Sequence, residues 1–135
     1  MSTYAWPNLA AMFYAQAGEL GDRPFLWEKS GGAYWPLSWG DTATRVSRLA
    51  RGLQALGVKP GDRVVLVSEN RANWLISDVA IMTTGAITTP AYITNTEADH
   101  LHILEDSDAV GVIVSTKRLA ERLLPAAHRA DVCKF

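Results

Sequence analysis

Apolar positions change their period along the chain, and each change marks an element. Over Asn8 to Gly18, Leu9, Met12, Phe13 and Ala17 fall on one helical stripe, which predicts an amphipathic helix. Asp22-Arg23-Pro24 breaks that pattern. Phe25-Leu26-Trp27-Glu28 and Tyr34-Trp35-Pro36-Leu37 then flank Ser30-Gly31-Gly32, the pattern of a β-hairpin with a glycine turn. Pro36 has no N–H to donate, so its strand is expected at an edge. Ser38-Trp39-Gly40-Asp41 has the form of a capping box. Behind it Val46, Leu49, Ala50, Leu53 and Leu56 recur at helical spacing, so a helix is expected over 39–56.

The stretch Leu56 to Asn70 is the most informative in the chain. Gly57 suits the left-handed residue that closes a helix, and Val58 can fold back onto its last turn. Pro60-Gly61 presets a turn, because proline fixes one dihedral and glycine accepts a positive one. Val64 to Val67 is an unbroken aliphatic run, the mark of a strand covered on both faces. Alternation follows: a strand over 63–68, a helix over 72–84, a short strand over 86–90, and a helix opened by Thr96-Glu97-Ala98-Asp99 and ending near 106. Val110 to Val114 reads as another buried strand, and Leu119, Leu123, Ala126, Ala127 and Ala130 mark a further helix. Strand and helix in alternation imply right-handed crossovers and a parallel sheet. Val132 to Phe135 looks like the opening of one more strand, so the sheet is expected to be incomplete and its edge unpaired.

Composition narrows the class. The 135 residues are 48% hydrophobic and 20% charged, which fits a globular domain rather than a disordered chain. A formal charge of −1 gives no electrostatic case for nucleic acid. No apolar run reaches the roughly 18 residues of a spanning helix, and Met1 to Ala11 lacks the form of a signal peptide. Cys133 is the single cysteine, which excludes an internal disulfide; it reads as a small residue of a buried strand. A cytoplasmic protein fits best, with the inner membrane surface as a peripheral location.

The usual phosphate loops are missing, since neither Gly-x-x-x-x-Gly-Lys-Ser/Thr nor Gly-x-Gly-x-x-Gly occurs. Ser30-Gly31-Gly32 sits in a hairpin and not before a helix, so it is a poor anion site. His100 and His102 point to different helix faces, and His102 with Asp106 reads as a solvated polar face. Asp99, Glu105, Asp106 and Asp108 lack a calcium-loop frame, so no metal site is expected. Ser107 and Ser115 have no histidine-plus-acid arrangement around them. Arg45, Arg48 and Arg51, with Arg63 and Arg71, read either as a basic strip for a phosphate-bearing ligand or as the polar face a helix must show. Ser68-Glu69-Asn70-Arg71 lies off the carboxyl end of the first buried strand, where open parallel sheets bind ligands. It is either a ligand-facing turn or a cap, with Asn70 closing the next helix and Glu69 near its positive end.

Four segments, in order, resemble the AMP-forming acyl-adenylating enzymes, and most closely the long-chain fatty-acid–CoA ligases. They are Leu37 to Thr42, Gly57 to Asn70 with Trp74 after it, Met82 to Tyr92, and Thr94-Asn95-Thr96 with His100 to Ser107. The resemblance runs from about residue 8 to the last residue. It implies an N-terminal helix and hairpin leading into an incomplete doubly wound parallel sheet, part of a large N-terminal domain. Residues 1–61 would hold the helix, hairpin and second helix, and 62–135 the alternating β/α units. It also implies the family's two-step reaction: a carboxylate and ATP give an acyl-adenylate, and coenzyme A then takes the acyl group.

The family's catalytic segments are the phosphate loop ending in lysine, the segment with the magnesium-binding acid, the ribose-binding acid and the late lysine. None occurs in 1–135. The resemblance therefore assigns no catalytic residue here, and implies an inactive fragment whose partners are the remainder of the ligase chain and a fatty acid. ATP, Mg2+ and coenzyme A belong to the parent enzyme. By the same resemblance Tyr92, Thr94, Asn95, Lys117 and Arg118 lie near the coenzyme A entrance, although the glycines some relatives carry in that turn are missing. Apolar faces left uncovered would favour self-association. The rival reading is a stand-alone, non-enzymatic binding or dimerisation module of the same ancestry.

Overall fold

In the computed structural model, which describes residues 6–131 and 134–135, the expected elements form in the expected order. Helix α1 (Leu9–Leu20) starts at Asn8, whose Oδ1 accepts the Ala11 N–H at 2.8 Å. Only part of its apolar stripe turns inward: Phe13 and Ala17 are buried, whereas Leu9 and Met12 stay exposed. The inward point is fixed by an aromatic cluster, in which Phe13 meets Tyr14, Phe25 and Trp39.

Strands β1 (Pro24–Ser30) and β2 (Ala33–Ser38) pair antiparallel across Gly31 and Gly32. Both glycines have positive φ, 58° and 81°, as a primed hairpin turn requires. The hairpin has only two strands, so Pro36 lies at an edge as expected. Phe25 stacks on Trp39 with centroids 3.6 Å apart, which anchors the hairpin base to α2 (Trp39–Ala55).

Helix α2 begins with the Ser38 hydroxyl accepting the Asp41 N–H at 3.0 Å. At its end Gly57 takes a φ of 94°, and its N–H bonds Gln54 O while the Val58 N–H bonds Leu53 O, each at 3.0 Å. This is a Schellman closure, with Val58 and Leu53 buried in one cluster. Proline and glycine then make the predicted turn: the Asp62 N–H reaches Lys59 O at 3.1 Å, with a φ of 85° at Gly61.

Strand β3 (Arg63–Val67) is the centre of a parallel sheet, with β4 (Ile87–Ala91) on one side and β5 (Ala109–Val114) on the other. The chain steps outward from β3 to β4 and then back across to β5. Crossovers of one hand therefore place α3 (Ala72–Thr83) and α4 (Glu97–Ser107) on opposite faces. Val64 packs with α2 and α3, while Val65 and Val67 pack with α4 and α5 (Lys117–Arg129). Val64 to Val67 are each at most 1% exposed, so the aliphatic run is covered on both faces. Each such side chain contributes about 1.5–3 kcal/mol by leaving water.

Two loop-end devices hold the far corner. Thr96 and Asp99 form a complete capping box on α4. Arg63 reaches across to the α4–β5 corner, its Nε donating to Ser107 O at 2.5 Å and its Nη2 to Asp108 O at 3.3 Å. Arg63 thus leaves the expected basic strip: it lies at the amino end of β3 and Arg71 beyond the carboxyl end, so the two guanidiniums serve different corners. Lys134 and Phe135 lie along the outer edge of β5, through Lys134 N to Val110 O at 2.8 Å and Val112 N to Phe135 O at 2.9 Å. Val132 and Cys133, expected to open that strand, lie outside the described residues.

Candidate functional site

The strand order reverses between β3 and β5, and the carboxyl ends of these two strands form the crevice where such sheets bind ligands. Val67 is followed by Ser68 to Arg71, and Val114 by Ser115 and Thr116. The two ends are joined. The Ser115 N–H donates to Val67 O at 3.1 Å, and its hydroxyl donates to Glu69 Oε2 at 2.5 Å. Arg71 Nη2 pairs with the same oxygen at 3.3 Å. The Ser115 hydroxyl, then a backbone N–H, hold the Glu69 carboxyl below the ordinary value, and Arg71 and Arg118 add attraction.

The capping role read for Asn70 is not what forms. Arg71 occupies the cap position of α3 in extended backbone, and its side chain makes no capping bond. The Ala72 N–H is instead taken at 3.0 Å by Glu28 Oε1, which comes from β1. A residue 44 positions away in sequence closes this helix, and local spacing holds no sign of it. Glu69, expected to favour the same helix end, is committed to Ser115 and Arg71.

A groove on the α2–α3 side of the sheet reaches Ser68, Arg71 and Ser115, and two other clefts hold residues read from sequence. One, of about 620 Å³, is bounded by Ser68, Glu69, Asn70, Trp74 and the segment Pro90 to Ile93. Tyr92 stands at its rim, 81% exposed. Thr94 and Asn95 do not join it. They border a second cleft, of about 430 Å³, with Thr96, Glu97, Glu121, Arg122 and Pro125. A turn separates the pairs, with the Asn95 N–H donating to Tyr92 O at 3.2 Å. Lys117 and Arg118 form the first turn of α5 and line neither of these two clefts. Lys117 faces Glu121 at 4.0 Å, and Arg118 acts on Glu69 through its charge. The five residues named from sequence therefore split: Tyr92 shares a cleft with Glu69, Thr94 and Asn95 border another, and Lys117 and Arg118 line neither.

Ser115 was legible only as an unassisted hydroxyl. Once β3 and β5 are known to be neighbours, its partner follows, because residues just past adjacent parallel strands meet. His100 is a second case: it is 1% exposed on α4, and its Nδ1 has no hydrogen-bond partner. Burial pushes its pKa below the usual value, against an opposing pull from Asp99. His102 is exposed, as the different-face reading required. Among the described residues no three His, Cys, Asp or Glu side chains converge on one point. No helix among them is long and apolar enough to cross a membrane.

Helix, hairpin and parallel sheet in this arrangement are the fold of several solved CoA-ligase N-terminal regions. The anthranilate CoA ligase AuaEII, solved with anthranoyl-AMP, superposes with a TM-score of 0.86 at 18% identity, over 99% of this chain and 26% of that one. The N-terminal domain of FACL13 from Mycobacterium tuberculosis, solved with a bound inhibitor, gives 0.83 at 21% identity, over 93% of this chain and 32% of that one. A family profile described as AMP-binding enzyme matches residues 13–134. The chain belongs to the AMP-binding enzyme family.

Among curated relatives, the long-chain-fatty-acid–CoA ligase FadD15 of Mycobacterium tuberculosis is 34% identical over 109 residues, which is 81% of this chain and 18% of that protein. A feruloyl-CoA synthase of an Amycolatopsis species is 35% identical over 91 residues, 67% of this chain and 18% of that protein. The chain thus spans about a fifth of the length of these relatives, 18% in both.

Proposed function

We propose that this chain is the N-terminal subdomain of an ATP-dependent fatty-acid–CoA ligase. The whole enzyme joins a fatty carboxylate to ATP, releasing pyrophosphate, and then passes the acyl group from the adenylate to the thiol of coenzyme A, releasing AMP. The observation that carries this reading is the 34% identity to a long-chain-fatty-acid–CoA ligase over 81% of the chain. Residues 1–135 build one wall of the enzyme and are inert by themselves, since no adenylating segment occurs among them. ATP and Mg2+ act on the later part of the enzyme. Coenzyme A enters past the carboxyl ends of β3 to β5, where Tyr92 offers an exposed ring and Arg118, with Lys117, offers cations for its phosphates. Thr94 and Asn95 shape the adjoining turn. We place the enzyme in the cytoplasm, meeting its fatty substrate at the inner membrane surface.

The reading of a stand-alone binding module draws less support. A groove of about 570 Å³, bordered by Leu49, Leu53, Leu56, Ile76 and Ile113, lies open on the α2–α3 side of the sheet. Apolar surface of this kind is an interaction face, which either the remainder of the ligase or a second copy would cover.

The deciding assay is pyrophosphate release with ATP and a series of acids, from acetate through palmitate to ferulate. The whole polypeptide is expected to turn over long saturated acids best, and residues 1–135 to release none above background. Preference for ferulate would overturn the fatty-acid assignment, and release by residues 1–135 would overturn the inert role.

A further inference from the structure

Glu69 lines the Tyr92 cleft, and a single oxygen, Oε2, takes both the Ser115 hydroxyl at 2.5 Å and Arg71 at 3.3 Å. Ser115 is the last residue before Thr116, whose hydroxyl caps α5 by accepting the Leu119 N–H at 3.3 Å. Ser115 is therefore gripped twice from β3, by its backbone on Val67 and by its side chain on Glu69. The next residues along are Lys117 and Arg118.

We propose that Glu69 is a positioning residue: through Ser115 it sets the first turn of α5, which carries Lys117 and Arg118. The inference rests on the coenzyme A entrance read above and adds the residue that organises it. Three features favour this role over mere solvation. A hydrogen bond to an ionised acceptor is short and directional, as the Ser115 bond is. Arg71 pairs at 3.3 Å with the same carboxylate oxygen that holds Ser115, which fixes the Glu69 side chain in place. Glu69 is also only partly exposed, its side chain at 30%, so water competes for it incompletely.

Lost positioning should appear as weakened capture of coenzyme A with the chemistry intact. In the whole ligase, Glu69→Ala is expected to raise KM for coenzyme A about fivefold, the equivalent of about one hydrogen bond, with kcat and the KM values for ATP and fatty acid unchanged. Glu69→Gln keeps an acceptor for Ser115 and should stay within about twofold of the parent. Ser115→Ala should raise KM for coenzyme A in the same way, and the double variant should be no worse than Glu69→Ala alone, because the Ser115–Glu69 contact is lost in each. This second variant also tests the inference should Glu69→Ala fail to fold. Lys117→Ala with Arg118→Ala, measured in parallel, reports on the entrance itself. If that pair raises KM for coenzyme A and both Glu69→Ala and Ser115→Ala leave it unchanged, the positioning role is wrong and the entrance stands. If none of them moves it, the entrance falls and takes the inference with it. A rise in all three KM values together would mean general loosening and would also overturn the role.

Discussion

A neutral imidazole is tolerated at position 100 because nothing there pays for a charge: the ring is buried, its Nδ1 is unpartnered, and only Asp99 pulls the other way. Folding therefore lowers the pKa of His100 below its ordinary 6.5, and the unfolded chain binds the proton more readily. The sign follows. The contribution is complete above pH 6.5 and is lost as pH falls through the lowered folded value. Glu69 and Asp99 have depressed values too, but they release their contributions only below ordinary carboxylate values of 4.5 and 3.8. Urea midpoints measured between pH 7.5 and 5 should fall for the parent protein, and His100→Leu should flatten that slope. Parallel slopes for the two proteins would sink the prediction. The histidine itself was visible in the sequence, but its burial was not: spacing separates His100 from His102 without saying which of them faces inward.

Among the elements, those bounded by local signals came out close to their expected limits. Gly57 ends α2 and Thr96 opens α4 because a left-handed residue and a side-chain cap act within a few positions of the backbone they serve. Helix α3 shows the contrary case. Its first N–H is satisfied by Glu28, so the helix start depends on the hairpin having docked. Glu28→Ala should cost about 1 kcal/mol in urea unfolding, the worth of a cap, while Glu28→Gln, which keeps an acceptor, should cost a few tenths. Equal stabilities for the Ala variant and the parent would show that solvent caps α3 just as well. The stripe of α1 illustrates the same limit: Leu9 and Met12 have the right spacing but stay exposed, and the aromatic cluster around Phe13 decides which residues turn inward.

For the molecule as a whole, the main consequence is the groove bordered by Leu49, Leu53, Leu56, Ile76 and Ile113. Leu56 is 59% exposed at its edge, and apolar surface of this kind drives association. Residues 1–135 are expected to sediment as a concentration-dependent mixture of monomer and larger species, and Leu56→Arg to shift that mixture toward monomer without loss of helical signal. A monomer at every concentration would show that the groove does not pair two copies.

Sequence alone determined what depends on near neighbours along the chain: the order and type of the elements, the glycine-dependent turns, the double-sided burial of β3 and the family. These follow because backbone geometry, capping and hydrophobic period act over a few residues. Only the tertiary structure decided which residues work together at the carboxyl ends of the strands. Glu69 meets Ser115 across 46 positions and Glu28 meets Ala72 across 44, and Tyr92 parts company with Thr94 and Asn95 at a single turn. Such partners are set by strand order, and the order β4-β3-β5 arises from packing helices on both faces of the sheet, which no local pattern encodes.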